Sequence, residues 1–286
     1  MHKQGFKVSL LCLAATALVA VAPAAAVAAP VETVTADELG PIVPPAHTAA
    51  STITMSGSTS VYPLAIDLAT AYNRQTGTKF RILQGGSDIG VSDVAAGRVT
   101  IGNASRDPVS SDPGGLKFNK IARDAICMIT NSKNRIRNLS RETAAAIFSG
   151  KVKDWSKVPG ATVKGSIDVN VRTAASGTQD SFQKLVIGRD AITGSASQRA
   201  TSGQIVQAVR SNANAIGYVS LDYDKGTNPA AFQGVACNLR NAKAGQYRAT
   251  RNFWMITRGA PKGDAAKFIK FARSQKRTVG AHWVPV

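Results

Sequence analysis

Three short hydroxyl- and glycine-rich segments each stand directly before a stretch with helical spacing: Ser56-Gly57-Ser58-Thr59-Ser60, Gly85-Gly86-Ser87-Asp88 and Ser176-Gly177-Thr178. Arg172 lies four residues ahead of the last. A helix start exposes backbone N–H groups that lack a partner within the helix, and the helix dipole places partial positive charge there. Small hydroxyl residues let an anion come close and add donors of their own. A guanidinium beside them would grip two oxyanion oxygens at once. One such segment alone is most simply a helix cap. Three of them, each at the C-terminal end of a strand-like run, where open α/β sheets hold ligands, point instead to an oxyanion cage.

The same residues do not make a nucleophilic enzyme. Ser87 and Ser176 would need a base within reach, and the only histidines are His2, His47 and His282. There is no G-x-S-x-G elbow, three residues after Ser87 comes Gly90 rather than lysine, and no phosphate-binding G-x-x-x-x-G-K-[ST] loop occurs. No histidine stands near a cysteine or another histidine, so no metal or other cofactor is expected. Cys127 and Cys237 both fall in apolar, strand-like runs. They read equally well as a disulfide or as two buried thiols.

The elements that must position these residues alternate between strand and helix. Thr52–Met55, Phe80–Leu83 and Val99–Gly102 read as strands. Val61, Leu64, Ala65, Leu68 and Tyr72 share a helical face that Gly77 would end, and Ile89–Ala96 is a short helix ending at Gly97. Asp107–Asn119, with two prolines and two glycines, reads as a loop, and Ile121–Thr130 as a long apolar strand. A helix capped by Ser140 runs from Arg141 to Gly150. Further strands are expected over Lys164–Arg172, Ile216–Val219, Val235–Cys237 and Asn252–Thr257. Helices are expected over Thr178–Ile187, Gly203–Arg210 and Lys262–Ser274, the last amphipathic on Ala265, Phe268, Ile269 and Ala272. The alternation predicts an α/β fold built on a parallel sheet with helices on both faces. From about Thr52 the chain is long enough for two lobes, and its end is expected to revisit the first.

The N-terminus carries His2, Lys3 and Lys7, then an apolar run from Val8 to Val21, then small residues through Ala29. This predicts a cleaved signal peptide over 1–29. The run is short for a membrane span, and Leu11 before Cys12 does not suit lipid attachment. Residues 30–50, rich in Pro, Ala and Thr, read as a flexible tether. The expectation is a periplasmic or secreted protein with no stable membrane insertion. Cleavage would take away Lys3 and Lys7 and no acid, lowering the formal charge from +18 to +16. Such a surface attracts anions. Nucleic acid is disfavoured, because aromatics make up only 6% of the chain and no nucleic-acid motif is present. The basic runs Lys133–Arg141 and Lys267–Arg277 read as solvated faces.

Taken together, the motifs resemble those of the periplasmic phosphate-binding proteins of ABC importers, in their shorter branch. The likeness rests on Gly57-Ser58-Thr59-Ser60-Val61, Gly86-Ser87, Gly102-Asn103-Ala104-Ser105-Arg106 and Ile121-Ala122-Arg123-Asp124-Ala125. It continues through Ile147-Phe148-Ser149-Gly150 to Trp155, Arg172 with Ser176-Gly177-Thr178, and Ala215-Ile216-Gly217-Tyr218-Val219. The resemblance implies a type II periplasmic-binding-protein clamshell of two lobes, each a mixed sheet flanked by helices. It implies two crossover strands, near Asp124–Ile129 and Arg251–Ile256, with lobe one formed by 51–125 plus 252–286 and lobe two by 126–251. The ligand it implies is one dehydrated inorganic phosphate, held by Ser58, Thr59, Ser60, Ser87, Ser105, Arg106, Arg172, Ser176, Gly177 and Thr178. It further implies a non-catalytic monomer that hands its ligand to an ABC permease. In the best-known members an aspartate follows the Ala-Ser pair and accepts the proton that phosphate has and sulfate lacks. This chain has Arg106 there, which leaves Asp88 or Asp180 as candidate acceptors and sulfate or molybdate as rival ligands. Ser60 stands where those members carry an aromatic ring.

Overall fold

The computed structural model describes residues 51–286. The expected signal peptide and tether lie outside the described residues. In chain order the first elements are β1 (Thr52–Gly57), α1 (Tyr62–Thr76), β2 (Lys79–Gln84), α2 (Ser87–Ala95), β3 (Ile101–Ala104) and the long β4 (Leu116–Thr130). Next come β5 (Asn138–Leu139), α3 (Arg141–Phe148), β6 (Asp168–Arg172), α4 (Gly177–Phe182), β7 (Ser197–Arg199), α5 (Ser202–Ser211) and β8 (Ala215–Ser220). The chain closes with β9 (Asn228–Pro229), β10 (Ala231–Phe232), α6 (Leu239–Lys243), β11 (Thr250–Arg258), α7 (Gly263–Ser274) and α8 (Lys276–His282).

Local chemistry sets the helix boundaries. Pro63 sits in the first turn of α1, where its missing N–H costs nothing, and Leu64, Ala65, Leu68, Ala69 and Tyr72 bury one face. Gly77 ends the helix in the left-handed conformation (φ 72°), its N–H bonded to the Asn73 carbonyl. Ser140 caps α3 by accepting from the Thr143 N–H, and Thr201 and Gln204 form a reciprocal capping box at α5. α4 continues through one wide π turn, Gln183–Ile187, so the expected helix to Ile187 is present in two geometries.

The main sheet runs in the order β2-β1-β3-β11-β4-β8-β6-β7, with β9 also on β4. Its two ends are parallel and its middle, where β11 and β4 lie, is antiparallel. The sheet is therefore mixed rather than parallel throughout, because β4 and β11 carry the chain across the molecule in opposite directions. β4 pairs with β11 up to Ala125 and with β8 from Ile126 onward. Two large hydrophobic cores lie on either side of that switch. One contains Met55, Leu64, Leu68, Phe253, Phe268 and Trp283; the other contains Ile126, Phe148, Trp155, Phe182, Ile205 and Tyr218. The returning chain crosses between Ala249, in the second core, and Phe253, in the first. This is the two-lobed arrangement.

Three local expectations fail. β4 begins at Leu116 inside the expected loop, because β11 reaches far enough to pair Arg258 with it. β6 starts only at Asp168. Val235–Cys237 is not a strand: Val235 makes an isolated bridge to Phe232 across a turn with Gly234 at φ 79°. Cys237 then leads into α6, which Asn238 caps by accepting from the Asn241 N–H.

Cys127 of β4 and Cys237 are joined in a disulfide with Cα atoms 5.6 Å apart. It ties the crossing strand to a segment 110 residues away. Replacing both cysteines by alanine should cost about 2–5 kcal/mol, through the freedom regained by the unfolded chain. The denaturant midpoint checks this, and a midpoint unchanged from wild type would contradict it.

Candidate anion-binding site

The three hydroxyl-rich segments converge. β1 delivers Ser58, Thr59 and Ser60 to the N-terminus of α1, β2 delivers Ser87 to that of α2, and β6 delivers Arg172, Ser176, Gly177 and Thr178 to that of α4. All are buried, Ser60 and Ser87 completely so. No side chain caps α1 or α2, so their first N–H groups are open to other partners, and in α2 the Asp88 N–H takes the Ala175 carbonyl. Hydroxyls meet across the two halves: Thr59 Oγ1 and Ser202 Oγ at 3.1 Å, Ser60 Oγ and Thr178 Oγ1 at 3.0 Å. Within the first half, Ser58 Oγ donates to Ser105 Oγ (2.8 Å), and the Ser105 N–H donates to Ser87 Oγ (2.9 Å).

The halves touch through backbone as well. The Asp88 N–H donates to the Ala175 carbonyl (3.1 Å), and the Ser181 hydroxyl donates to the Ser105 carbonyl (3.2 Å). Glycine makes the approach feasible. A Cβ on Gly177 would stand 2.2 Å from Ser87 Oγ, and one on Gly86 (φ 137°) would stand 2.7 Å from the Ala175 carbonyl oxygen.

Arg172 sets the electrostatics. Its side chain is buried with 3% exposure, and among the described residues no carboxylate is paired with it. Nε donates to the Arg199 carbonyl, Nη2 to the Ala200 carbonyl (2.7 Å) and Nη1 to Ser202 Oγ (3.2 Å). Burial pulls the guanidinium down to about 10, and the nearby Arg251 charge adds to the effect. It remains charged at neutral pH. Arg251, itself 5% exposed, donates through Nη1 to Ser105 Oγ (3.3 Å) and pairs with the fully buried Asp124 (2.9 Å). Ser220 Oγ also donates to Asp124. Asp124 thus answers the Arg251 charge alone, and the positive charge of Arg172 is left among hydroxyls and helix starts. Desolvated charge is costly without a partner, and a multiply charged oxyanion is the partner this arrangement suits.

Most of the residues singled out in the sequence are brought together here. Ser176 spends its hydroxyl oxygen on the Thr178 and Gln179 N–H groups, so at that position the cap reading holds. Arg106 departs from expectation: its backbone adjoins the site, but its guanidinium turns to Asp88 (Nε, 2.9 Å), to Asp112 (Nη2, 2.6 Å) and to the Asp107 carbonyl. The loop after β3 supplies Asp112 close by, and these carboxylates satisfy the charge that an anion would otherwise meet. The second guanidinium at the site is Arg251 instead. Asp88 and Asp180, the candidate proton acceptors, pair with Arg106 and Lys184. Ser202, at the start of α5, and Arg251 were not foreseen. Ser202 follows a capping-box Thr that masks it as an ordinary helix start, and Arg251 lies in an extended run where nothing local marks it.

A profile of the PBP superfamily domain matches residues 43–276. The chain belongs to the PBP superfamily. Among known proteins, it is 26% identical over 234 residues to the phosphate-binding protein PstS of Bacillus subtilis, covering 79% of this chain and 77% of that one. Among solved structures, it is similar to a protein of Clostridium perfringens classed as a phosphate ABC transporter substrate-binding protein and solved with bound phosphate. That pair shows 31% identity and a TM-score of 0.78, with coverage of 82% of this chain and 100% of that one. An ABC-type phosphate transport receptor of Vibrio cholerae gives 27% identity and a TM-score of 0.66 at the same coverage. The PstS-like resemblance and the two-lobed type II fold it implied therefore stand. Among the described residues, no helix is long and apolar enough to cross a membrane.

Proposed function

We propose that this PBP-superfamily chain is the solute-binding component of phosphate import. It would capture inorganic phosphate between its two lobes and pass it to an ABC permease. The observation that carries this reading is Arg172, a buried guanidinium paired with no carboxylate among the described residues and bonded to the Ser202 hydroxyl, which meets Thr59. Thr59, Ser60, Ser87, Thr178 and Ser202, with the N–H groups opening α1 and α2, complete the shell. PstS proteins among its relatives support the choice of phosphate.

In this reading the lobes comprise 51–125 plus 252–286 and 126–251. They open and close about the crossing strands, and closure couples to binding. The protein acts as an exported monomer after loss of residues 1–29, and it catalyses nothing, since the site offers no base to its serines. Phosphatase turnover of a phosphate ester by the purified protein would contradict that.

A second reading is a binding protein for sulfate or molybdate. The engagement of Asp88 and Asp180 with other cations favours it, because neither carboxylate is directed to accept a phosphate proton. Calorimetric titration of the ligand-stripped protein with each anion separates the two. Tight phosphate binding that sulfate fails to compete is the expected result. Sulfate or molybdate binding tighter than phosphate would replace it.

A further inference from the structure

The side-chain oxygen of Asn103 is buried, and among the described residues no group donates a hydrogen bond to it. Asn103 belongs to β3 and is only 1% exposed. A buried amide oxygen without a donor weighs against the folded state, and nearly all such groups find a partner. Two other orphaned atoms belong to Asn134 and Trp283; Asn103 is the one whose strand leads into the anion cage.

The pleat fixes the side of the sheet on which the amide lies. Gly102 and Ala104 face α2: a Cβ on Gly102 would stand 3.0 Å from Val94 Cγ1, and Ala104 packs with Val91 and Val94. Ile101 and Asn103 therefore face the opposite side, where Ile101 packs with Met55 and Leu64 of the α1 core. The register neighbours of Asn103 are Gly57 and Met255, one without a side chain and the other without a donor. Polar groups begin just ahead. The Asn103 carbonyl accepts the Ser58 N–H (2.9 Å), where the chain turns into α1. Ser105, two residues on, meets Ser58 Oγ at 2.8 Å and Ser87 Oγ at 3.4 Å, and it accepts from Arg251. The amide thus has apolar core behind it and the floor of the cage in front.

The cage is rich in donors and short of acceptors. Phosphate keeps a proton at neutral pH, so it needs an acceptor, whereas sulfate and molybdate carry no proton to give. Asp88 and Asp180 are engaged by Arg106 and Lys184. An amide oxygen accepts a hydrogen bond without bringing negative charge, so it does not repel the rest of a protonated oxyanion. Against a bare sulfate oxygen it sets lone pair against lone pair.

We propose that Asn103 is the residue that selects phosphate: its Oδ1, at the end of β3 beneath the Ser58 turn, accepts the hydrogen bond from the protonated oxygen of the ligand. The orphaned oxygen and the missing carboxylate acceptor then have one explanation. The inference rests on the phosphate reading and extends it to the choice between phosphate and sulfate.

The test is calorimetry of the ligand-stripped protein with phosphate, arsenate and sulfate at neutral pH, on wild type, Asn103→Leu and Asn103→Asp. Leucine matches asparagine closely in size and accepts nothing. It should weaken phosphate, and arsenate with its like proton, about tenfold, and leave sulfate unchanged or tighter. The anion-free Leu variant should unfold no earlier than wild type, because the orphaned oxygen is gone. Aspartate keeps an acceptor and adds charge, so it should hold the preference for phosphate over sulfate at least at the wild-type ratio while both affinities fall. A Leu variant that weakens both anions by one factor, or weakens neither, overturns the role of Asn103, as does an Asp variant with a lower ratio than wild type. In those cases a wild type that prefers phosphate leaves the phosphate reading standing. A wild type that binds phosphate no more tightly than sulfate overturns both.

Discussion

Arg172→Ala should weaken phosphate binding by about 2–5 kcal/mol, the range for removing one member of a desolvated charge pair, while changing the stability of the anion-free protein far less. The asymmetry follows from the surroundings of the guanidinium. It is buried with only carbonyls and one hydroxyl as partners, and Arg251 repels it. Without an anion the charge is a liability, so its loss is partly offset by relief of that repulsion. With an anion it is the chief attraction. Calorimetry gives the first quantity, and thermal unfolding with and without phosphate gives the second. The melting shift that phosphate induces in wild type should nearly vanish in the variant. A variant that binds like wild type, or that loses stability and affinity in equal measure, would remove Arg172 from the anion cage.

The opposite balance is expected at Arg251. Arg251→Met should destabilise the protein by about 3–5 kcal/mol at neutral pH, the cost of leaving a buried charge without its partner. Asp124 has no exposed surface, and burial pushes its carboxyl upward, against the pull of Arg251 and Ser220. Without Arg251 the upward push is less opposed, so the folded variant prefers the protonated acid. The penalty is then full only above the raised value of the folded acid and shrinks as pH falls from there toward the ordinary aspartate range, because the folded protein takes up the proton more readily than the unfolded chain. Chemical denaturation at about pH 7 and pH 4.5 measures this. Adding Asp124→Asn should recover most of the loss at neutral pH. Equal losses at both pH values, or no recovery in the double variant, would contradict the account.

Much of the site was legible because it is built from local chemistry. Helix starts advertise themselves through Ser, Thr and Gly, and the segments at Ser58, Ser87 and Ser176 carry more of these than capping requires. Arg172 stood out as an arginine at the end of a strand-like run, four residues before Ser176-Gly177-Thr178. What stayed hidden is what depends on distant partners. Arg106 looked like a second clamp in the sequence. That Asp112 turns back to hold it is a fact about how the loop closes, and no spacing reveals it. Arg251 becomes a site residue only because β11 lies beside β4 and brings it to Asp124 and Ser105.

The fold divides in the same way. Periodicity and glycine stops marked α1, α3, α5 and α7. The start of β4 at Leu116 was decided by β11, a partner far away in sequence, whereas the path through Val235–Cys237 follows a tight local turn at Gly234 that strand-like composition concealed. Sheet direction was equally illegible from alternation alone, since the crossing of β4 and β11 is a property of the whole chain.

The most direct measurement is a crystal structure of the protein grown with phosphate. The account predicts one anion, free of water, with oxygens within hydrogen-bond distance of the Arg172 guanidinium and of Thr59, Ser87 and Thr178. Phosphate bound elsewhere, or reaching these groups only through water, would contradict it.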